Sequence, residues 1–260
     1  MHRISKLSRS IKGRVALVTG AASGIGRATA CLLADEGARL GLLDIEAAAV
    51  ESVATEIRAA GGEVMTWQVD CSDREALQET VQQLAEHHGG LDILVNNAGV
   101  ALPSDLNDPD QYECNWDKSM AVMASAQQWA IRAALPWLRA AEHPRIINVA
   151  STEALGGTAY NSAYVAAKHA SLGLTRAMAV ELGKEGITVN CVCPGPVHTG
   201  MTAIIPGEHK ETFARRRTAL RRYAEPEEIA HMILSLALPA AGYVTGAAIP
   251  VDGGLTIRNA

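Results

Sequence analysis

Tyr164 and Lys168 stand four residues apart, and Ser151 lies thirteen residues ahead of the tyrosine. Four residues make about one helical turn, so both side chains share a face of a helix. An ammonium beside a phenol favours the phenolate, because an opposite charge stabilises the ionised form. A free phenol ionises near pH ~10 and is a poor base at neutral pH. Moved toward neutrality, it becomes a useful proton acceptor or donor. The rest of the chain must then supply a partner for that proton chemistry.

The elements around these residues supply one. Arg14–Thr19 is an apolar run of strand length without alternation, as expected of a parallel strand buried on both faces. It runs into Gly20-Ala-Ala-Ser23-Gly24-Ile25-Gly26, and Ile25–Glu36 reads as a helix closed by Gly37. Glycines allow a tight turn and close backbone approach, and the helix N-terminus offers free N–H groups to a phosphate. Strand, glycine turn and helix together point to a dinucleotide, although the spacing is GxxxGxG rather than GxGxxG. The second strand, Ala38–Leu43, ends at Asp44, where a carboxylate suits an adenosine ribose and repels a 2′-phosphate. Ile45 beside it is neutral and the turn carries no base, so NAD is expected over NADP.

Strands and helices continue to alternate. Ile45–Ala60 reads as a helix and Glu63–Val69 as a strand, with Ser72 capping a helix that runs to His87 and Glu75 at the capping-box position. Leu91–Val95 is a strand leading into Asn96-Asn97-Ala98-Gly99. Pro103–Asn115 reads as a loop and Trp116–Ala140 as a long helix that Pro136 disturbs near its end. The strand Arg145–Val149 delivers Ser151 at its carboxyl edge, where ligands bind in open α/β sheets. Ala163–Leu182 is the helix of Tyr164 and Lys168, Ile187–Val192 a strand, and Ala247–Val251 the last strand. Gly200–Arg222 reads as a lid with an amphipathic piece, and Pro226 as the first turn of a helix. The expected fold is α/β: a single Rossmann-type, doubly wound parallel β-sheet flanked by helices on both faces. One domain spans residues 12–260, preceded by a flexible tail over residues 1–11.

Composition narrows the function. A net charge of −5 argues against a nucleic-acid partner. No apolar run reaches the ~20 residues that span a membrane. Five scattered cysteines form no disulfide pattern and suggest reduced thiols in the cytoplasm. Cys191 and Cys193 form a CxC pair without a second pair, and His87 and His88 fall in a polar last turn, so no metal site is expected. The aliphatic Glu153–Tyr160 wall suggests a roomy, mostly apolar substrate site, with Glu153 and His198 as polar contacts.

TGAASGIG (Thr19–Gly26), NNAG (Asn96–Gly99), Ser151 with Tyr164-xxx-Lys168, PGPVHT (Pro194–Thr199) and the closing YVTG and VDGG together resemble the classical short-chain dehydrogenase/reductases. The resemblance covers Lys12 to Gly254. It implies an NAD-dependent oxidoreductase that interconverts a secondary alcohol and a ketone by hydride transfer. Tyr164 would be the acid/base, Ser151 would hydrogen-bond the substrate oxygen, and Lys168 would hold the nicotinamide ribose and lower the Tyr164 pKa. Gly20, Ser23, Ile25 and Gly26 would surround the pyrophosphate and ribose, and Asp44 would take the adenine ribose. Asp70 and Cys71 would take the adenine, Asn97 would line the cofactor, and Val197 and Thr199 would hold the carboxamide and pyrophosphate. A small-molecule alcohol or ketone is the implied partner, in a homotetramer or homodimer. One residue departs from the pattern. Met123 stands where the family has an asparagine that holds a water between lysine and solvent, and a thioether donates no hydrogen bond. Gln127 or water alone would restore that relay in an active enzyme; otherwise the chain is an NAD-binding sensor or scaffold with little or no turnover.

Overall fold

The computed structural model describes residue 4 and residues 6–259. Seven strands form one parallel sheet in the order β3-β2-β1-β4-β5-β6-β7. They are β1 (Val15–Thr19), β2 (Arg39–Asp44), β3 (Glu63–Gln68), β4 (Ile93–Asn96), β5 (Arg145–Val149), β6 (Thr188–Pro194) and β7 (Ala248–Val251). The helices are α1 (Gly24–Asp35), α2 (Ala47–Ala59), α3 (Arg74–His88), α4 (Pro109–Met120), α5 (Ala126–Ala140), α6 (Ser162–Leu182), α7 (Gly207–Arg217) and α8 (Pro226–Ala237).

Alternation along each strand builds two cores. Ala16 and Val18 of β1 face a layer made by α1, α2 and α8. Val15 and Leu17 face the opposite layer, made by α3, α5 and α6. Both sets are buried, which is why β1 reads as a continuous apolar run. The sheet is thus doubly wound, as its sequence implies. Strand order reverses between β1 and β4, and this switch point opens a crevice at the carboxyl edge. On its β4 side, Asn96 Nδ2 donates to Asn148 Oδ1 at 2.9 Å, and Asn148 Nδ2 donates to Thr175 Oγ1 at 2.9 Å. This buried chain ties β4, β5 and α6 together below the site.

Four local expectations change. The cap of α3 is Asp73, whose carboxylate accepts from the N–H groups of Glu75 and Ala76. Ser72 is instead held by Asp70. The long helix starts at Pro109, not Trp116, with Asp108 as its cap and proline in the first turn. It also widens to a π-helical turn over Ala121–Ser125 before continuing as α5 through Pro136 to Ala140. Residues 1–11 are not a free tail throughout: Ile11 is fully buried, and the Ser8 carbonyl accepts from the Ala240 N–H at 3.0 Å. Residues 1–3 and 5, including Arg3, lie outside the described residues. Residues 200–222 fold as a short turn, Gly200–Thr202, followed by α7. Among the described residues, no helix is long and apolar enough to cross a membrane.

Candidate active site

A cleft of about 680 Å³ opens at the switch point. It gathers Gly20, Ser23, Ile25, Asp44, Asp70, Cys71, Asn97, Ser151, Tyr164, Lys168, Val197 and Thr199 from seven separate stretches of chain. Gly26 does not line it. Instead, Gly26 packs the first turn of α1 against the glycine loop, where a Cβ would sit 2.0 Å from the Gly20 carbonyl oxygen. Gly20 itself has φ +65°, and a Cβ there would stand 2.8 Å from Ala98 Cα. Both positions require glycine for the turn to close on the start of a helix.

The turn is braced from two sides. Asn97 Nδ2 donates to the carbonyls of Thr19 and Gly20 at 2.9 and 3.0 Å. Asp44, at the end of β2, accepts from the Ala22 N–H through Oδ2 at 2.9 Å and from the Glu46 N–H through Oδ1 at 3.1 Å. Arg27, the nearest base in α1, is engaged with Glu56. The geometry fits a dinucleotide: free N–H groups at the start of α1, close backbone approach, and a carboxylate at the adenosine end.

Lys118 is a member of this site that sequence reasoning missed. It donates to Asp70 Oδ2 at 2.6 Å and to Ser72 Oγ at 2.9 Å. Burial works against the charge on Asp70, but Lys118 and Ser72 hold its carboxyl below the usual range. Burial pushes the neighbouring Cys71 thiol up to about 12, so it stays protonated.

The reactive end is drier. The Ser151 hydroxyl accepts from the Glu153 N–H at 3.1 Å, at the start of the turn Thr152–Ala154. Lys168 is 3 % exposed; its ammonium donates to the Val149 carbonyl at 2.8 Å and lies 5.5 Å from the centre of the Tyr164 ring. Burial lowers the Lys168 pKa to about 8. Burial likewise raises that of Tyr164; a hydrogen bond with Ser151 opposes the rise and the charge of Glu153 adds to it. The expectation that Lys168 brings the phenol below its ordinary value is therefore corrected. The lysine addresses a backbone carbonyl, and burial of the phenol sets the direction of its shift.

Met123 lies in the π-helical turn and is fully buried. A Cβ placed on Gly99 would stand 3.6 Å from its sulfur and 3.8 Å from Lys168 Nζ. Gln127 accepts from Ser171 Oγ at 2.8 Å, and its Nε2 is buried without a partner among the described residues. His198 lines a separate groove that runs behind α1, its ring 5.2 Å from that of Tyr223. At the far edge of the sheet, Glu63, His87 and His88 bring three possible ligand atoms within 4.8 Å of one another, remote from this chemistry.

The family described as enoyl-(acyl carrier protein) reductase matches residues 20–256. The chain is 38% identical over 246 residues to meso-2,3-butanediol dehydrogenase of Serratia marcescens, covering 95% of this chain and 96% of that protein. Its fold matches carveol dehydrogenase from Mycobacterium avium in complex with NAD, with a TM-score of 0.89, 29% identity, and coverage of 95% and 99% of the two chains. A short-chain dehydrogenase from Burkholderia cenocepacia J2315 in complex with NADP is similar at a TM-score of 0.87 and 33% identity, with the same coverages.

Proposed function

The chain belongs to the short-chain dehydrogenase/reductase family, and we propose that it is an NAD-dependent oxidoreductase interconverting a secondary alcohol and a ketone. The observation that carries this reading is the convergence of Ser151, Tyr164 and Lys168 on the cleft that also holds the glycine turn and Asp44. Similarity to dehydrogenases of small alcohols supports it.

A bound nicotinamide dinucleotide supplies the hydride acceptor or donor. The residues of the chain handle binding and the proton. The N-terminus of α1 and the glycine turn receive the pyrophosphate. Asp44 takes the adenosine ribose, and Asp70 and Cys71 take the adenine. Asn97 lines the cofactor and supports the turn from below. Val197 and Thr199, which line the cleft, would hold the carboxamide and pyrophosphate. Lys168 holds the nicotinamide ribose. In oxidation, Tyr164 Oη accepts the proton of the substrate hydroxyl; in reduction it returns that proton to the carbonyl oxygen. Ser151 Oγ donates to the same substrate oxygen, because one of its lone pairs already accepts from Glu153 N–H. The positive charge of Lys168 stabilises the phenolate while it lasts. Prepositioned groups in a dry site carry the catalysis.

NAD over NADP rests on Asp44, which repels a 2′-phosphate, and on Arg27, which is already paired with Glu56. A homotetramer or homodimer remains the proposed assembly. Met123 favours a second reading, a nucleotide-binding sensor or scaffold with little turnover, because no hydrogen-bonding side chain occupies that position beside Lys168. One experiment separates the two: turnover of a panel of secondary alcohols and ketones with each cofactor, beside calorimetric titration with NAD. Turnover with NAD supports the enzyme, whereas binding without turnover supports the sensor. A preference for NADP removes the cofactor assignment.

A further inference from the structure

Away from the cleft, the start of the edge strand β3 meets the last turn of α3. Glu63 opens β3, and His87 and His88 close α3. One ligand atom from each of these three lies within 4.8 Å of the other two. The two elements are already joined nearby, where Trp67 Nε1 of β3 donates to Gln83 Oε1 of α3 at 2.8 Å. The cluster is therefore a product of the fold, and the adjacent histidines give no sign of it in the sequence.

His88 is the informative member. Its side chain is 2 % exposed, yet its Nε2 is buried without a partner among the described residues, and its Nδ1 stands 3.4 Å from Glu63 Oε1. That separation exceeds the ~3.2 Å limit of an ordinary N–H···O hydrogen bond. It matches the ~3.4 Å between two ligands of a tetrahedral ion with metal–ligand bonds of about 2.0–2.1 Å. Buried polar groups normally have a partner, and the protein gives this imidazole none. The surroundings favour a cation. Arg39, opposite Glu63 in the sheet, donates instead to the Gly13 carbonyl at 2.9 and 3.2 Å, so the Glu63 carboxylate is not tied to it. The carbonyl end of α3 draws positive charge to its last turn. The His87 ring lies edge-on to that of His88, with centroids 4.7 Å apart. His87 and Glu63 are exposed, so their side chains rotate to close the remaining separations while burial fixes His88.

We propose that Glu63, His87 and His88 form a site for a divalent transition-metal ion of the zinc class, with water in the fourth position. Two imidazoles and one carboxylate suit such an ion, whereas magnesium and calcium prefer all-oxygen sites. The ion fastens the edge strand to the helix packed beside it. Its role is structural, and it is independent of the oxidoreductase reading.

The test titrates the full chain, free of any affinity tag and stripped with a chelator, with zinc chloride in a calorimeter. A single zinc ion binds per chain, and thermal unfolding moves to higher temperature as zinc is added, because only the folded chain gathers the ligands. His87→Ala and Glu63→Ala, both at exposed side chains that leave the core intact, each weaken zinc binding by at least about tenfold and lose the thermal shift. Cobalt(II) in place of zinc gives visible d–d bands without the ultraviolet sulfur-to-metal band that ligation by Cys31 or the exposed Cys114 would add. Zinc binding weaker than about millimolar overturns the site. So does unchanged affinity in the His87→Ala, Glu63→Ala double variant, a sulfur band with cobalt, or zinc that competes with NAD. An equal thermal shift from magnesium overturns the choice of ion. NAD titration of the same variants matches the wild type, so failure of the metal site leaves the oxidoreductase reading standing.

Discussion

Met123 and Lys168 face the same point of the backbone: a Cβ on Gly99 would touch the sulfur of one at 3.6 Å and the ammonium of the other at 3.8 Å. A thioether is a weak acceptor with no hydrogen to give. Lys168 carries three protons and has one protein acceptor here, the Val149 carbonyl. Substituting Met123→Asn places an amide donor and acceptor beside it. Turnover is expected to rise by about a hundredfold, the lower end of acid–base effects. Thermal unfolding measured in parallel should show a modest loss of stability, because a polar group replaces a fully buried thioether. Unchanged kcat with a folded variant means that proton exchange does not pass this point.

Asp44 joins cofactor choice to loop geometry. Its Oδ2 holds the Ala22 N–H, so Asp44→Ala removes both the repulsion toward a 2′-phosphate and a brace of the glycine turn. The ratio of the NADP and NAD dissociation constants should fall by about tenfold, while NAD affinity itself weakens by a few-fold, the size of one lost hydrogen bond. Isothermal titration with both cofactors checks this. An unchanged ratio would remove Asp44 as the discriminating residue.

Lys168 gives stability a pH signature. Its folded pKa, about 8, lies below the ordinary lysine value of 10.5, so between those limits the unfolded chain binds more protons than the folded one. Stability from this group therefore rises with pH across that window and is lost as pH falls through about 8. The full difference is on the order of 3 kcal/mol. Urea unfolding at pH 7 and pH 9.5 should show the wild type gaining on Lys168→Met by part of that amount. Parallel curves at both pH values would contradict a desolvated lysine. Tyr164 has the opposite sign, because its raised pKa contributes stability that is full below the ordinary phenol value and lost at higher pH, above the pH 9.5 of this comparison.

Much of the fold is legible in the residues themselves. Val15–Thr19 is buried on both faces, so its unbroken apolar run from Val15 to Val18 points to a central parallel strand. The glycine turn and the Tyr164–Lys168 spacing depend on local backbone geometry, which sequence spacing encodes. The start of α4 does not show itself in the same way. Only Ser119 of that helix is buried, so there is no apolar stripe to read, and Asp108-Pro109 is its sole signal. Lys118 meets Asp70 across 48 residues, a contact that exists only once β3 and α4 are packed. The Tyr164 pKa has the same origin. Spacing puts an ammonium on the phenol's face of the helix, but burial and the Val149 carbonyl, both tertiary, set the balance.

Tyr164→Phe tests the account most directly. The substitution removes one oxygen from a packed ring, so the glycine turn, Asp44 and Lys168 stay in place. Calorimetry on this variant should return an NAD dissociation constant within about threefold of the wild type, while turnover of the best alcohol falls by at least about a hundredfold. Wild-type turnover in Tyr164→Phe with NAD binding retained would contradict the assignment of Tyr164 as the proton-transferring group.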